Sequence, residues 1–114
     1  MSPSSRGSVA TRKRHAPVFA ALGDETRLAL VAKLCGGQPQ SISQLTVGSN
    51  RTRQAIAKHL RVLEGAGVVR GVRSGRESLF AFEPQSIEKM RTYLDRVSRQ
   101  WDETLEQLQS FVED

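Results

Sequence analysis

The most restrictive feature of this sequence is a change of hydrophobic period near its middle. In TRQAIAKHLRVLEG, residues 52–65, apolar residues recur at the three- and four-residue spacing of a helix. That pattern stops at Gly65-Ala66-Gly67, and two β-prone runs follow over 68–73 and 77–82, on either side of Ser74-Gly75. A helix followed at once by a hairpin predicts a mixed fold in which the two elements lie side by side.

Three shorter helices are predicted upstream of this segment. The first ends at Gly23, and the second has Asp24 as its N-cap and closes at Gly36-Gly37. The segment SISQLTV has the spacing of a capping box and predicts a third helix over 41–47. The side chains expected to face the core from the second and third helices are Leu28, Leu30, Val31, Ala32, Leu34, Cys35, Ile42, Leu45 and Val47.

One long helix is predicted from Pro84 onward, because proline is tolerated at a first helical position. Its apolar residues follow one another at steps of three or four: Ile87, Met90, Leu94, Val97, Trp101, Leu105, Leu108 and Val112. At 1.5 Å per residue they run for about 40 Å, which is longer than the core of one small domain. A second chain is therefore expected to cover them.

The predicted order of elements is four helices, a β-hairpin and a final helix. The short helix over 41–47, a tight turn at Gly48-Ser49-Asn50 and a basic helix over 52–64 form a helix-turn-helix. The hairpin that follows has the position of a wing. The predicted fold class is thus mainly α with a small β-hairpin (α+β), a dimeric winged helix-turn-helix.

Charge divides the chain into three parts. Residues 1–15 carry four basic and no acidic residues, residues 16–82 carry nine basic and four acidic residues, and residues 83–114 carry four basic and eight acidic ones. The net charges are +4, +5 and −4, and the positive part suits a polyanionic partner. Composition predicts a disordered basic arm over 1–15, either an unstructured leader or a contact to phosphates. The rest of the chain is predicted to form a winged-helix core over 16–83 and a dimerisation helix over 84–114.

The helix over 52–64 has two chemically different sides. Ile56, Leu60 and Leu63 form an apolar side, whereas the opposite side presents cationic and amide donors. Arg53 suits bidentate contact with guanine and Gln54 suits contact with adenine. The side chains predicted to bind double-stranded DNA from this helix and from the wing tip are Thr52, Arg53, Gln54, Ala57, Lys58, Arg61, Arg73 and Arg76.

Several classes of site are not expected. The single cysteine, Cys35, excludes an internal disulfide, and with His15 and His59 it has no spacing that predicts a metal site, so no cofactor is expected. No nucleophile–base or paired-acid motif occurs, and His59 has no carboxylate, serine or cysteine in a reactive motif, which argues against an enzyme. No membrane span or apolar leader segment is found, and a cytoplasmic, nucleoid-associated protein is expected.

The segments FAALGDETRLALVAKL, TRQAIAKHLRVLEGAGVVR and GRESLFAF resemble the ArsR/SmtB family of bacterial winged-helix repressors over residues 17–112. The resemblance is to a branch without metal sites, since SISQLTV has no cysteine and the last helix has no histidine. It implies a homodimer on a palindromic operator, and repression relieved by an effector. It adds His59, in the family's KHL motif, as support for the helix or a contact to the DNA backbone. The implied dimer interface is Val18, Phe19, Leu22, Met90, Leu94, Val97, Trp101, Leu105 and Leu108.

Two alternatives stay open at this point. Cys35, which the apolar pattern predicts to be buried, or a pocket in the dimer interface could make the chain a redox or small-molecule sensor. A dimeric adaptor that binds another protein and no DNA is the second alternative.

Overall fold

The computed structural model describes residues 3–113, with the side chains of residues 9–113. The elements in this range are α1 (Pro3–Leu22), α2 (Glu25–Leu34), β1 (Gln40–Ser41), α3 (Ile42–Thr46), α4 (Arg53–Gly65), β2 (Val69–Ser74), β3 (Glu77–Phe82) and α5 (Pro84–Glu113). Strands β1 and β2 both pair antiparallel with β3, so the sheet order is β1-β3-β2. This arrangement is a winged helix-turn-helix, so the predicted mainly α fold with a small β-hairpin is confirmed for one chain, while its dimeric state stays a prediction.

Helix α1 differs most from the sequence prediction. A disordered arm is predicted over residues 1–15, but the helix begins at Pro3; residues 1 and 2 and the side chain of Arg6 lie outside the described residues. His15, the last residue of the predicted arm, packs against α5, a contact that the composition of the arm does not reveal. The ring of His15 is 8% exposed and stacks on the ring of Tyr93, with the two centroids 5.0 Å apart.

Local caps fix the starts of α2 and α3. Asp24 accepts a hydrogen bond from the backbone N–H of Arg27 at 3.1 Å, and this bond holds the pKa of the Asp24 carboxyl below its ordinary value. Ser41 and Gln44 form the predicted capping box. The Ser41 N–H donates to the Gln44 side chain at 2.8 Å, and the Gln44 N–H donates to the Ser41 hydroxyl at 3.2 Å.

The core lies between α2, α3, α4 and the start of β2. Burying one large apolar side chain stabilises a fold by about 1.5–3 kcal/mol. The buried side chains of this core therefore hold α4 firmly against the rest of the chain. Helix α1 covers it with Ala21 and, in part, with Val18 and Leu22. The largest fully buried side chains are Leu30, Leu34, Leu45, Ile56, Leu60, Leu63, Val68 and Val69.

Four residues predicted to face the core lie at the surface instead. Leu28 is 53% exposed and Val47 is 73% exposed, and Ala32 and Cys35 are exposed as well. Cys35 is the C-cap of α2, one residue beyond the helical stripe, and Val47 is the C-cap of α3. The inner stripe of α2 is rotated relative to the predicted one, and its buried residues are Leu30, Val31 and Leu34.

Helix α5 starts at Pro84, as predicted, and leaves the core after about two turns. Its Ser86 hydroxyl donates to the Gly67 carbonyl, and Met90 is 5% exposed. From residue 98 to residue 113 every side chain is exposed, whereas Asp114 lies outside the described residues. The dimerisation role of this helix stays a prediction. Within residues 3–113, the helices are all too short or too polar to cross a membrane.

Candidate nucleic-acid interface

Helix α4 carries most of the predicted DNA-binding residues. Ile56, Leu60 and Leu63 are at most 1% exposed and attach the helix to the core. The other side is accessible, so cationic and amide donors project where the core leaves the helix free. We call this set the reading face; it consists of the exposed Arg53, Gln54, Lys58 and Arg61 and the half-buried Ala57.

The start of α4 combines a cap with a basic approach. The Thr52 hydroxyl accepts a hydrogen bond from the Ala55 N–H at 3.1 Å. The N–H groups of a helix's first turn have no acceptor within the helix, and together with the helix dipole they favour a phosphate. Arg51, just before the cap, is exposed and was missed in the sequence analysis. The signal that could have found it is a cation next to the N-terminus of a basic helix.

A lysine from α2 holds the turn between α3 and α4. The Lys33 ammonium donates to the Leu45 carbonyl at 3.1 Å and to the Val47 carbonyl at 3.2 Å. These carbonyls lie at the end of α3, where helix C-termini favour a cation. Gly48 then turns the chain with φ +79°, which glycine adopts without strain. Lys33 therefore positions the approach to α4, a role that the sequence alone gives no reason to assign.

The end of α4 fixes the direction of the wing. Gly67 has φ +79°, its N–H donates to the Glu64 carbonyl at 3.0 Å, and the Val68 N–H donates to the Leu63 carbonyl at 2.9 Å. This pair of bonds is the Schellman motif. Val68 and Leu63 are both fully buried. The hairpin consequently leaves the helix in one direction, set by buried contacts at its base.

The wing presents two predicted arginines at its tip. Arg73 lies on β2 opposite Ser78, and Arg76 follows Gly75 in the turn; both arginines are exposed. Gly75 has φ +62°, as the first central residue of a two-residue type II′ hairpin turn requires. The pairing of β1 with β3 also ties the wing to the start of α3. Arg70, near the base of the wing, forms an ion pair within the chain, with its Nε 3.5 Å from the Glu83 Oε2.

His59 lies on a different side of α4 from the reading face. Its Nδ1 lies 3.2 Å from the Arg27 guanidinium and 4.0 Å from the Asp24 carboxylate, both at the start of α2. The Arg27 Nε also donates to the Ala21 carbonyl, which links three helices. The sequence does not reveal that His59 lies near a carboxylate, because its partners are more than 30 positions away in the chain. This geometry fits support of the helix better than contact with a base.

The predicted dimer residues divide into two groups. Val18 and Leu22 pack partly on the core of their own chain, the Phe19 ring lies 5.9 Å from the Tyr93 ring, and Met90 is buried. The second group remains accessible along α5. Val97 is half-buried, and the exposed fractions are 50% for Leu94, 62% for Trp101, 54% for Leu105 and 56% for Leu108.

Within residues 3–113, no three His, Cys, Asp or Glu side chains lie close enough together to hold a metal ion. The exposed thiol of Cys35 stands alone at the end of α2.

Residues 22–72 match the helix-turn-helix domain family. The uncharacterized HTH-type transcriptional regulator YuzN of Bacillus subtilis is 35% identical over 79 residues, which cover 64% of this chain and 86% of that protein. The HTH-type transcriptional regulator Rv2034 of Mycobacterium tuberculosis is 34% identical over 76 residues, which cover 67% of this chain and 70% of that protein.

A solved structure extends the similarity to nearly the whole chain. It is that of an ArsR-like transcriptional regulator from Rhodococcus sp. RHA1, with 37% sequence identity and a TM-score of 0.79. The match covers 90% of this chain and 95% of that one. It therefore includes α5 as well as the helix-turn-helix.

Proposed function

Because the chain belongs to the ArsR family of winged helix-turn-helix, DNA-binding transcriptional regulators, we propose that it binds a palindromic operator as a homodimer and represses transcription there. The protein acts in the cytoplasm, at the nucleoid. The observation that carries this proposal is the reading face of α4, which is accessible and basic while the opposite side of the same helix is fully buried.

The reading face enters the major groove, where an α-helix fits and base edges are distinguishable. Arg53 donates to a guanine and Gln54 pairs with an adenine, while Lys58 and Arg61 contact phosphates. The half-buried Ala57 has no long side chain, so it lets the helix approach the bases closely. Thr52 and the first-turn N–H groups hold a phosphate at the helix start, and His59 holds α4 to α2 through Arg27.

The wing contacts DNA beside the operator half-site. Arg73 and Arg76 are exposed at the hairpin tip and place two cations there. Contacts of this kind neutralise phosphates without reading bases, so they add affinity to every DNA sequence.

The exposed apolar residues of α5 support the proposed homodimer. Leu94, Trp101, Leu105 and Leu108 are each at least half exposed in one chain. A two-fold dimer places two α4 helices symmetrically, so two half-sites about 34 Å apart form a palindrome.

The test is selection of bound sequences from random double-stranded DNA, followed by titrations on the enriched site. We expect a palindrome bound by two chains. Arg53→Ala should lower affinity about tenfold to a hundredfold and relax the base preference at one position in each half-site. Arg99→Ala, which removes an exposed arginine from α5, is the matched control and should leave that preference unchanged.

The wing is tested by the salt dependence of binding. Arg73→Ala or Arg76→Ala should weaken binding to all sequences alike and reduce the slope of log affinity against log salt by about two, one for each chain of the dimer. If no sequence is enriched and binding to DNA does not depend on salt, the repressor proposal fails and a protein-binding adaptor is favoured.

A further inference from the structure

A cleft of about 330 Å³ lies between the outer side of α2 and the turn that precedes α4. Its floor is apolar and belongs to the core, because Leu30, Leu45 and Ile56 line it and are each at most 2% exposed. Residues 48–51 of the turn form the wall that faces α2. An apolar floor with a few polar groups around it is typical of small-molecule sites, and the volume lies at the lower end of their range. The cleft is therefore large enough for a small organic molecule.

The wall formed by α2 carries opposite charges at its two ends. Glu25, Ala29 and Lys33 line the cleft, are exposed, and recur every four residues on one side of the helix. Glu25 is the first residue of α2 and Lys33 lies in its last turn, so about 12 Å of helix separates them. The wall thus presents a carboxylate at one end, an ammonium at the other and a methyl group between them.

The charged groups of the cleft are available to a ligand. Among the side chains of residues 9–113, none forms an ion pair with Glu25 or with Arg51, the second cation that lines the cleft. The Lys33 ammonium gives two of its three N–H donors to carbonyls at the end of α3, which leaves one donor for another acceptor. A carboxylate suits this donor, because it adds a charge attraction that a neutral carbonyl lacks.

From these observations we infer that the cleft binds a small zwitterion with an ammonium at one end, a carboxylate at the other and an apolar group between them. The ammonium pairs with Glu25, the carboxylate accepts from Lys33, and the apolar group lies on the floor beside Leu30. A peptide of three residues has these features, since it spans about 10 Å when extended and carries its charges at its two ends.

The same ligand acts on DNA binding through Lys33. A carboxylate beside its ammonium competes with the Leu45 and Val47 carbonyls, and those contacts hold the turn before α4. The ligand therefore loosens the turn that positions the reading face and weakens binding to the operator. This effect rests on the proposed function and adds to it a class of effector, whereas binding in the cleft does not depend on DNA.

Calorimetric titration of the full-length protein without DNA tests the site, with the tripeptide Ala-Leu-Ala as the probe. The N-acetylated peptide and the C-terminal amide should each bind about fivefold more weakly than the free peptide, because each has lost one of the two ion pairs. If the acetylated peptide binds as well as the free one, the cleft is an anion site only. That result, or no binding of any of the three peptides, overturns the inference.

Glu25→Gln identifies the partner of the ammonium. The variant should bind the free and the acetylated peptide equally and should still prefer the free peptide to the amide. A preference for the free over the acetylated peptide as large as in the wild type would contradict the pairing with Glu25.

Ala29→Trp places a bulky side chain in the cleft and should lower peptide affinity at least tenfold. Ala29 is exposed, so the substitution does not enter the core. Ala32→Trp is the matched control, because Ala32 is also exposed on α2 but does not line the cleft. Equal affinities in the two variants would show that the peptide binds elsewhere.

Fluorescence anisotropy with the operator separates this inference from the proposed function. Saturating Ala-Leu-Ala should lower the operator affinity of the wild type about tenfold and leave that of Ala29→Trp unchanged. If the protein binds no DNA even without peptide, the proposed function fails and the calorimetric result still decides the site. If peptide binds in the cleft and the operator affinity stays the same, the effect through Lys33 is contradicted.

Discussion

Helices α4 and α5 are both amphipathic, yet their apolar sides have opposite fates. In α4 the apolar residues Ile56, Leu60 and Leu63 are buried within the chain, with Leu60 and Leu63 at 0% exposure. In α5 only the first turns are buried, ending at Met90, and the apolar side continues into solvent with Leu105 at 54% exposure. The same kind of apolar pattern therefore forms part of the core in α4, whereas in α5 most of it does not.

The difference shows which surface of each helix is available for function. Because the apolar side of α4 is buried in the core, only its polar side is available to bind a partner, and that side is basic. Because α5 leaves its apolar side exposed, that side is the surface that the proposed homodimer would cover. A basic side of a helix is by itself weak evidence for DNA binding. In α4 the buried Ile56 and the fixed turns at both ends of the helix hold that side in one position at the surface.

The largest effect on stability should come from replacing a buried leucine of α4 with alanine. The same replacement at an exposed leucine of α5, made in a separate variant, gives the comparison. Leu60→Ala should lower the free energy of unfolding by about 3 kcal/mol, because it leaves a cavity in the core. Leu105→Ala should leave the fold of a single chain nearly unchanged and weaken the dimer about tenfold to a hundredfold, since symmetry removes two side chains from the interface. Urea unfolding at two protein concentrations, with sedimentation, distinguishes the two effects.

A smaller effect is expected at the turn before α4. Lys33→Met should lower the free energy of unfolding by about 1 kcal/mol, because the Leu45 and Val47 carbonyls lose their charged donor. It should also weaken DNA binding, since the turn positions the reading face. Lys33→Arg keeps a donor and is the control. Wild-type stability together with wild-type DNA affinity in Lys33→Met would show that the turn holds its shape without this contact.

The smallest effect should be a dependence on pH at the start of α2. The pKa of Asp24 is lowered in the folded chain by the hydrogen bond from the Arg27 N–H. Its contribution to stability is therefore complete above the unfolded pKa of about 3.9 and is lost as pH falls through the folded value below it. Asp24→Asn keeps a capping oxygen but cannot titrate. Its free energy of unfolding should change less than the wild type's between pH 5 and acid; an identical change would contradict the assignment.

Local signals predicted much of this molecule from sequence. The capping box of Ser41 and Gln44, the glycine stop at Gly67 and the hairpin turn at Gly75 each depend on chemistry within a few residues. They give the order of elements, and the apolar spacing of α4 places the reading face. The same reasoning put Leu28 and Ala32 of α2 on the buried side, where the structure does not have them.

Features that depend on distant contacts were not predictable in the same way. Helix α1 continues through Pro17, which sequence patterns associate with a helix start, because its earlier turns pack on α5. The two-residue strand β1 exists only through its pairing with β3. The contacts of Lys33 with the end of α3 and of His59 with Arg27 likewise join residues far apart in the chain.

The claim that α4 reads DNA while α5 joins two copies is tested most directly by binding to a full operator and to one isolated half-site. Fluorescence anisotropy at low salt would compare the wild type, Leu105→Asp and Arg53→Ala. We predict that Leu105→Asp keeps wild-type affinity for the half-site and loses the added affinity of the full operator, whereas Arg53→Ala weakens both. Loss of half-site binding in Leu105→Asp, or retention of the full-operator advantage, would contradict this division between the two helices.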